Sequence, residues 1–277
     1  MRQASRLLPA ALIAGLLLGV FGQAWASMSV APLSLQFDVA PGESASGSFL
    51  VRNTGSEAIE VSISLHDWWR TEAGDLQILP AGDVEQSCAE WLVYSSSSAL
   101  LAPGEETEIS LELAIPEDAV GDHWTMFLVE EHPQPAEQAQ ADKELTDTTR
   151  VVVAYAVKVL QRDPVNRTLD ATISDVAIDQ EAPLQIAITY ANTGSAHHTT
   201  SGTVEIRDTE GETIQSIDVN PFPTLPGEIR TLLVLAPETM EALPGGIYYT
   251  VVILDFGGDY LIQGGSVFEV EAESQDT

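Results

Sequence analysis

From Ile59 to His66 the chain alternates without a break: Ile59, Val61, Ile63 and Leu65 are apolar, and Glu60, Ser62, Ser64 and His66 between them are polar. A period of two puts one set on a buried face and the other in water, which predicts a half-buried strand over 59–69. Runs of the same length scale, rich in Val, Ile, Thr and aromatic residues, cover 30–37, 46–53, 76–79, 91–94, 106–114, 123–130 and 150–160. A second series covers 169–178, 184–192, 202–207, 213–219, 228–235, 248–256 and 261–270. Pro-Gly, Asn-Thr-Gly and Asp/Glu-Gly steps separate the runs, and no long segment repeats every 3.6 residues. The pattern predicts an all-β chain of two tandem immunoglobulin-like β-sandwich domains.

The punctuation itself repeats. Asn53-Thr54-Gly55-Ser56 returns as Asn192-Thr193-Gly194-Ser195, each time directly after an apolar strand. Ala102-Pro103-Gly104-Glu105 returns as Leu225-Pro226-Gly227-Glu228, and Ile115-Pro116-Glu117 as Ala236-Pro237-Glu238. Asn and Gly at such steps supply the positive φ that tight turns need. The same marks in the same order predict one strand plan used twice, over 27–163 and 164–277, with the boundary at Asp163-Pro164, because proline cannot continue a ladder. The first unit carries an extra stretch, 69–90, read as a hairpin insert turning at Ala73-Gly74-Asp75.

Ahead of both units, Arg2 and Arg6 precede an apolar stretch over 7–22, and Ala24-Trp25-Ala26 supplies small residues at the two positions a signal peptidase reads. Residues 1–26 are therefore expected to be a cleaved export signal, with Ser27 as the new terminus and a periplasmic or secreted destination. The apolar stretch is short for a membrane span, and no cysteine stands near the cleavage site for a lipid anchor. Cys88 is the single cysteine, so an intramolecular disulfide is excluded and a buried thiol is expected.

Charge narrows the partners. The chain has 11 Lys+Arg against 42 Asp+Glu, a net charge of −31. Such a surface repels phosphate backbones and anionic lipid, which argues against nucleic-acid binding and against a stable membrane attachment. The acids are dispersed rather than blocked, as on a solvated acidic surface.

The opening strand that ends in Pro41-Gly42-Glu43, the strand end Val51-Arg52-Asn53-Thr54-Gly55, and Lys158-Val159-Leu160-Gln161-Arg162-Asp163-Pro164 together resemble the N-terminal domain of the PapD-like pilus-assembly periplasmic chaperones. The second unit is generically immunoglobulin-like. The resemblance implies that the last strand of the first domain offers alternating apolar residues to an exported, pilin-like subunit, which adds a strand there. It also implies that a downstream Lys and a first-strand Arg clamp the subunit's terminal carboxylate. Val151 and Val153 match two of the alternating positions and Thr149 occupies the third; Lys158 matches the Lys. The Arg has no counterpart, since 29–37 contains no basic residue. Two readings stand for Lys158, a client carboxylate or a local one. Arg162, near the hinge, is expected to link the domains through an ion pair or to touch the partner. The polar loop 132–149 before this strand is long enough to be either functional or a solvated connection.

Catalytic signatures are absent: no HExxH, no Gly-x-Ser-x-Gly, no phosphate loop and no cysteine cluster. His197-His198 would point to opposite faces of a strand, which suits an exposed loop pair better than a metal site. His66-Asp67-Trp68-Trp69 reads as core packing or, less simply, as an aromatic platform, and Asp255 with Asp259 as a turn before a calcium loop. The sequence is thus expected to encode a non-enzymatic, strand-binding chaperone-like protein without cofactor or metal. The alternative is an envelope-associated structural or adhesive protein that binds an envelope component through the Trp-rich strand.

Overall fold

The computed structural model describes residues 27–132, 153–180 and 183–271. The leader read over 1–26, the proposed contact residue Val151 and nearly all of the loop 132–149 lie outside those residues.

The first sandwich has two sheets. One runs in the order β1 (Met28–Ala31), β3 (Ser44–Asn53), β8 (Glu106–Ala114), β6 (Leu92–Tyr94). The other runs β2 (Ser34–Asp38), β10 (Ala154–Arg162), β9 (His123–His132), β4 (Ile59–Arg70), β5 (Leu76–Pro80), with β7 (Ser98–Leu101) pairing the start of β4. Phe49, Val51, Ile109 and Leu113 from one sheet meet Val61, Ile63, Phe127, Val129, Val157 and Val159 from the other, all but fully buried. These are the alternate residues of their strands, so the period-two pattern has done what it predicts.

The second sandwich packs a three-stranded sheet, β11 (Ala171–Asp179), β12 (Gln185–Asn192), β15 (Ile229–Leu235), on a four-stranded one. The latter runs β14 (Thr213–Thr224), β13 (His198–Arg207), β16 (Gly246–Asp255), β17 (Ile262–Val270). Ile186, Ile188 and Tyr190 meet Val204, Ile206, Val252 and Leu254 in its core. The chain is two tandem immunoglobulin-like sandwiches. Among the described residues no helix is long and apolar enough to cross a membrane.

Two expectations of detail are corrected. The run 30–37 is not one strand. It breaks at Pro32-Leu33, and its halves join opposite sheets of the first sandwich. Proline supplies no N–H for a continuing ladder, while the apolar alternation runs on through the crossing and conceals it. The second is β7, a four-residue strand at the end of a serine run, too short to carry an alternating pattern.

The repeated punctuation has one physical meaning in both sandwiches. The Asn53 side chain donates to the Glu57 and Leu101 carbonyls, and its Oδ1 accepts the Gly55 N–H at 2.8 Å. Asn192 donates to the Ala196 carbonyl and accepts the Gly194 N–H at 3.1 Å. The Asn53 backbone exchanges bonds with Gly104 and Glu105, and that of Asn192 with Gly227 and Glu228. Each Pro-Gly turn is closed by its own glutamate, Glu105 accepting the Ala102 N–H and Glu228 the Leu225 N–H. A buried amide that satisfies several backbone groups at once ties a strand end to the next turn.

Candidate functional site

Antiparallel β9 pairs β10 along nearly its whole length, from Ala154 opposite Glu130 to Gln161 opposite His123. On the other side parallel β2 joins only from Lys158 opposite Ser34 to Arg162 opposite Asp38. The crossing at Pro32-Leu33 is the cause, because upstream of it the chain belongs to the opposite sheet. Among the described residues, Ala154 to Val157 therefore keep an open edge. Tyr155, Val157, Val159 and Gln161 turn toward the core, and Val153, half-buried with its carbonyl accepting the Glu131 N–H at 3.1 Å, shares their side. Ala156, Lys158 and Leu160 turn the other way, toward the second sandwich.

There they meet a cluster that sequence reasoning did not assemble. Trp68, Trp124 and Met126 of the first sandwich pack with Leu225 of the second. Trp68 is 2% exposed and Trp124 0%, and Trp124 Nε1 donates to the Trp68 carbonyl at 3.0 Å. Asp67 sits behind them, accepting the Gly82 and Val84 N–H groups and the Ser87 hydroxyl, so it holds the loop after β5 in place. The His66-Trp69 run is thus interdomain packing rather than a surface platform.

Beside this cluster a cleft of about 340 Å³ opens between the sandwiches, with Trp68, Arg70, Lys158 and Arg162 on one wall and His197, Pro223 and Thr224 on the other. The described residues include seven Lys and Arg: Arg52, Arg70, Lys158, Arg162, Arg167, Arg207 and Arg230. Five of these, all but Arg52 and Arg207, gather at the cleft and the junction around it. In a chain of net charge −31 that concentration is a local reversal of sign. Lys158 Nζ lies 4.3 Å and the Arg70 guanidinium carbon 4.9 Å from the Trp68 ring centre. Cations over an indole face are attracted by its quadrupole. Burial holds the Lys158 ammonium below its ordinary pKa, Arg70 pushes the same way, and Glu228 opposes them.

Two buried carboxylates tie the sandwiches across the junction. Asp122 of the first accepts the Asp163 N–H at 2.9 Å through Oδ1. Its Oδ2 accepts the His197 N–H at 2.9 Å and lies 2.8 Å from His197 Nδ1 and 3.3 Å from Arg167. Glu228 of the second lies 3.6 Å from Arg70 and 3.4 Å from Arg230. Asp163 in turn accepts the Val165, Asn166 and Gly121 N–H groups and so shapes the connection. His197-His198 is corrected accordingly: it is not an exposed loop pair. His197 faces Asp122, while His198 is buried with Nε2 2.6 Å from the Tyr190 hydroxyl. Burial lowers the His198 pKa and pushes the Tyr190 phenol up to about 12.

Among the described residues no carboxylate oxygen lies within 4.0 Å of Lys158, and the acid whose charge reaches it is Glu228 of the second sandwich. Arg162 lies 3.7 Å from Asp38 of its own sandwich, so its ion pair does not link the domains, although it does line the cleft. Arg70, Asp122 and Glu228 were not singled out from sequence as site residues, and Trp68 only as part of an aromatic run read as core packing or a platform. The usable signal was the scarcity of cations: Arg70 closes the His-Asp-Trp-Trp-Arg run in a chain with few bases to spare.

Fold and site together define a two-sandwich protein with a half-open strand and a cationic cleft at its domain junction. No family model matches the chain, and no curated protein sequence matches it. Among solved structures it is similar to a chain of a chaperone–tip adhesin complex of CFA/I fimbriae, at 13% identity over 88% of this chain and 98% of that one, TM-score 0.48. It is also similar to a chain of the CsuC–CsuE chaperone–tip adhesion subunit complex of Acinetobacter baumannii, at 11% identity over 89% and 99%, TM-score 0.46. A third is the E. coli chaperone DraB, at 14% identity over 88% and 98%, TM-score 0.40.

Proposed function

We propose that this protein is a periplasmic chaperone-like, subunit-binding protein that takes an extended strand from an exported, pilin-like partner along the open half of β10. The observation that carries the reading is the half-paired strand: Ala154 to Val157 offer unused backbone groups next to core-facing Tyr155 and Val157. Strand addition uses such an edge for affinity and the alternating side chains for register. Val153, and Val151 before it, would extend the apolar series toward the incoming strand. The strand's end would reach the cleft, where Lys158 and Arg70 receive its terminal carboxylate. Arg70 comes from β4 rather than from the opening strand, so a guanidinium and an ammonium still act together although 29–37 has no base. Arg162 would stand at the far end of the same cleft. An adhesive role built on the Trp68-Trp69 strand loses its support, because Trp68 is buried against the second sandwich.

The test is capture from an envelope extract by the purified chain, with melting measured on the same samples. Replacing Val151 and Val153 by Ser, or Lys158 by Ala, is expected to cut capture of an exported subunit while leaving the melting midpoint within a few degrees. Unchanged capture by both variants would overturn the reading. Val153→Ser that unfolds the protein would place that residue in the core instead.

A further inference from the structure

β16 is apolar on both faces. Tyr248, Val252 and Leu254 point into the core of the second sandwich, and Ile247, Tyr249, Val251 and Ile253 alternate with them on the outer side of its four-stranded sheet. β17 sets Val267 opposite Tyr249, and Gly265 opposite Val251, where no side chain stands. An antiparallel sheet with one wet face alternates apolar and polar residues, whereas a strand covered on both faces is apolar throughout. The first sandwich keeps that rule. The outward positions of β8 include Glu108, Ser110 and Glu112, while the apolar Met126 and Leu160 pack at the junction with Leu225 of the second sandwich. No described element covers the outer side of β16 in this way, for Ile247 is 48% exposed, Tyr249 41% and Val267 60%.

The surround is acidic. Glu269 stands opposite Ile247, Glu205 opposite Val251, and Asp255 ends the strand. Asp208, Glu210 and Glu212 follow Arg207 in the turn to β14. Arg207, opposite Tyr249, is the one Lys or Arg on this sheet, and its guanidinium is already held by Glu205. An apolar centre inside an acidic rim selects its cover by charge. A second copy would set the same acids face to face, and anionic lipid is repelled as well.

We propose that the outer side of β16 and β17 is a second interaction surface, which docks a protein partner whose own apolar patch is ringed by lysines and arginines. Tyr249 and Val267 are its anchors, the bare position at Gly265 beside them admits a partner side chain, and Glu269, Asp255 and the acids of the 208–212 turn face the basic ring. The surface belongs to the second sandwich and the open half of β10 to the first, so neither reading rests on the other.

The experiment places a photoreactive phenylalanine analogue at position 249 of the full chain, and in a control variant at position 108, in the cells that produce the protein. After irradiation the adducts are identified by mass spectrometry, and the partner found is purified and titrated calorimetrically into the parent chain at low and high salt. The expected result is one discrete adduct from position 249, absent from position 108, with a partner of basic surface and an affinity that falls as salt rises. Val267→Glu should bind about tenfold more weakly or worse, as for a lost anchor, with its melting midpoint within a few degrees of the parent. Ile247→Ser gives a second variant should Val267→Glu disturb the sheet, and Glu269→Lys should weaken binding at low salt only. No discrete adduct from position 249 would overturn the proposal. An adduct between two copies, or a cross-link within the chain, would overturn it by showing what covers the face instead. A partner of acidic surface, an affinity that rises with salt, or normal binding by both Val267→Glu and Ile247→Ser would do the same.

Discussion

Asp122 shows how much one side chain can carry at the junction. Its two oxygens serve the Asp163 and His197 N–H groups, the His197 ring and Arg167, and it is fully buried. Removing one member of a buried charged network leaves the others unpaired, which costs about 3–5 kcal/mol. Asp122→Ala is therefore expected to lower the denaturation midpoint sharply and to separate the melting of the two sandwiches, whereas Asp122→Asn, which keeps acceptors in place, should cost less. Denaturant melts followed by probes in each sandwich would decide it, and a variant as stable and cooperative as the parent would remove Asp122 as the tie. Histidine burial gives a prediction in pH. His123 and His198 are both held below the ordinary histidine pKa, chiefly by desolvation. In the unfolded chain each takes a proton near pH 6.5 that the folded protein refuses. The stability they provide is thus complete above that value and is lost as the pH falls below it toward the folded pKa values. The midpoint should drop between about pH 7.5 and pH 5.5, and His198→Gln should flatten that slope. A parent whose midpoint does not move over the range would contradict the burial argument.

At the scale of elements, the hairpin of β4 and β5 reaches beyond its own sandwich. The Glu72 carbonyl at its turn accepts the Thr231 N–H of β15 at 2.8 Å, and Gly74 lies against the Arg230 side chain. A side chain at Gly74, whose φ is +94°, would be strained in that conformation and would have to displace the Arg230 guanidinium. The hairpin caps part of a free sheet edge and braces the angle between the sandwiches. Shortening it to a two-residue turn between Arg70 and Leu76 should leave both sandwiches folded and free them to swing. The expected signs are a larger radius in solution scattering and faster proteolysis between 163 and 170, and an unchanged radius would count against the brace. The insert and its turn at Ala73-Gly74-Asp75 were legible in the sequence, as were the alternating strands and the doubled Asn and Pro-Gly punctuation. Its contact with β15 was not, because strand patterning records which face is buried and not which domain buries it. For the same reason Leu225 and Glu228 read as the counterparts of Ala102 and Glu105, identical in local role. Only the placement of the first sandwich turns them into a hydrophobic seat and a buried partner for Arg70. The sheet crossing at Pro32 was hidden by alternation that continues through it, and the histidine pair was misplaced because polarity near a turn suggests exposure.

Over the whole molecule the sign of charge is the organising fact: a body of net charge −31 surrounds a cleft that gathers Arg70, Lys158 and Arg162, with Glu228 and Asp38 as the nearby acids. An incoming carboxylate therefore meets long-range repulsion and short-range attraction, and salt separates the two because they act over different distances. At about 0.01 M salt the screening length is roughly 30 Å, so the field of the entire acidic body reaches the ligand; at about 0.1 M it is roughly 10 Å, and chiefly the cleft's own groups are felt. Near 1 M it is about 3 Å and the local attraction fades as well. Affinity for a short peptide with a free carboxylate should consequently rise from 0.01 M to about 0.1 M and fall again toward 1 M, while the amidated peptide, held by backbone bonds alone, should lack the rise. Self-repulsion of the acidic body predicts a parallel gain in melting midpoint over the first part of the same titration, since a high net charge works against the compact state. Calorimetric titration of both peptides at several salt concentrations would test this directly. A decline for the acid from the lowest salt onward would mean that the cleft cations outweigh the acidic body at every distance. Identical curves for acid and amide would mean that the chain end never enters the cleft.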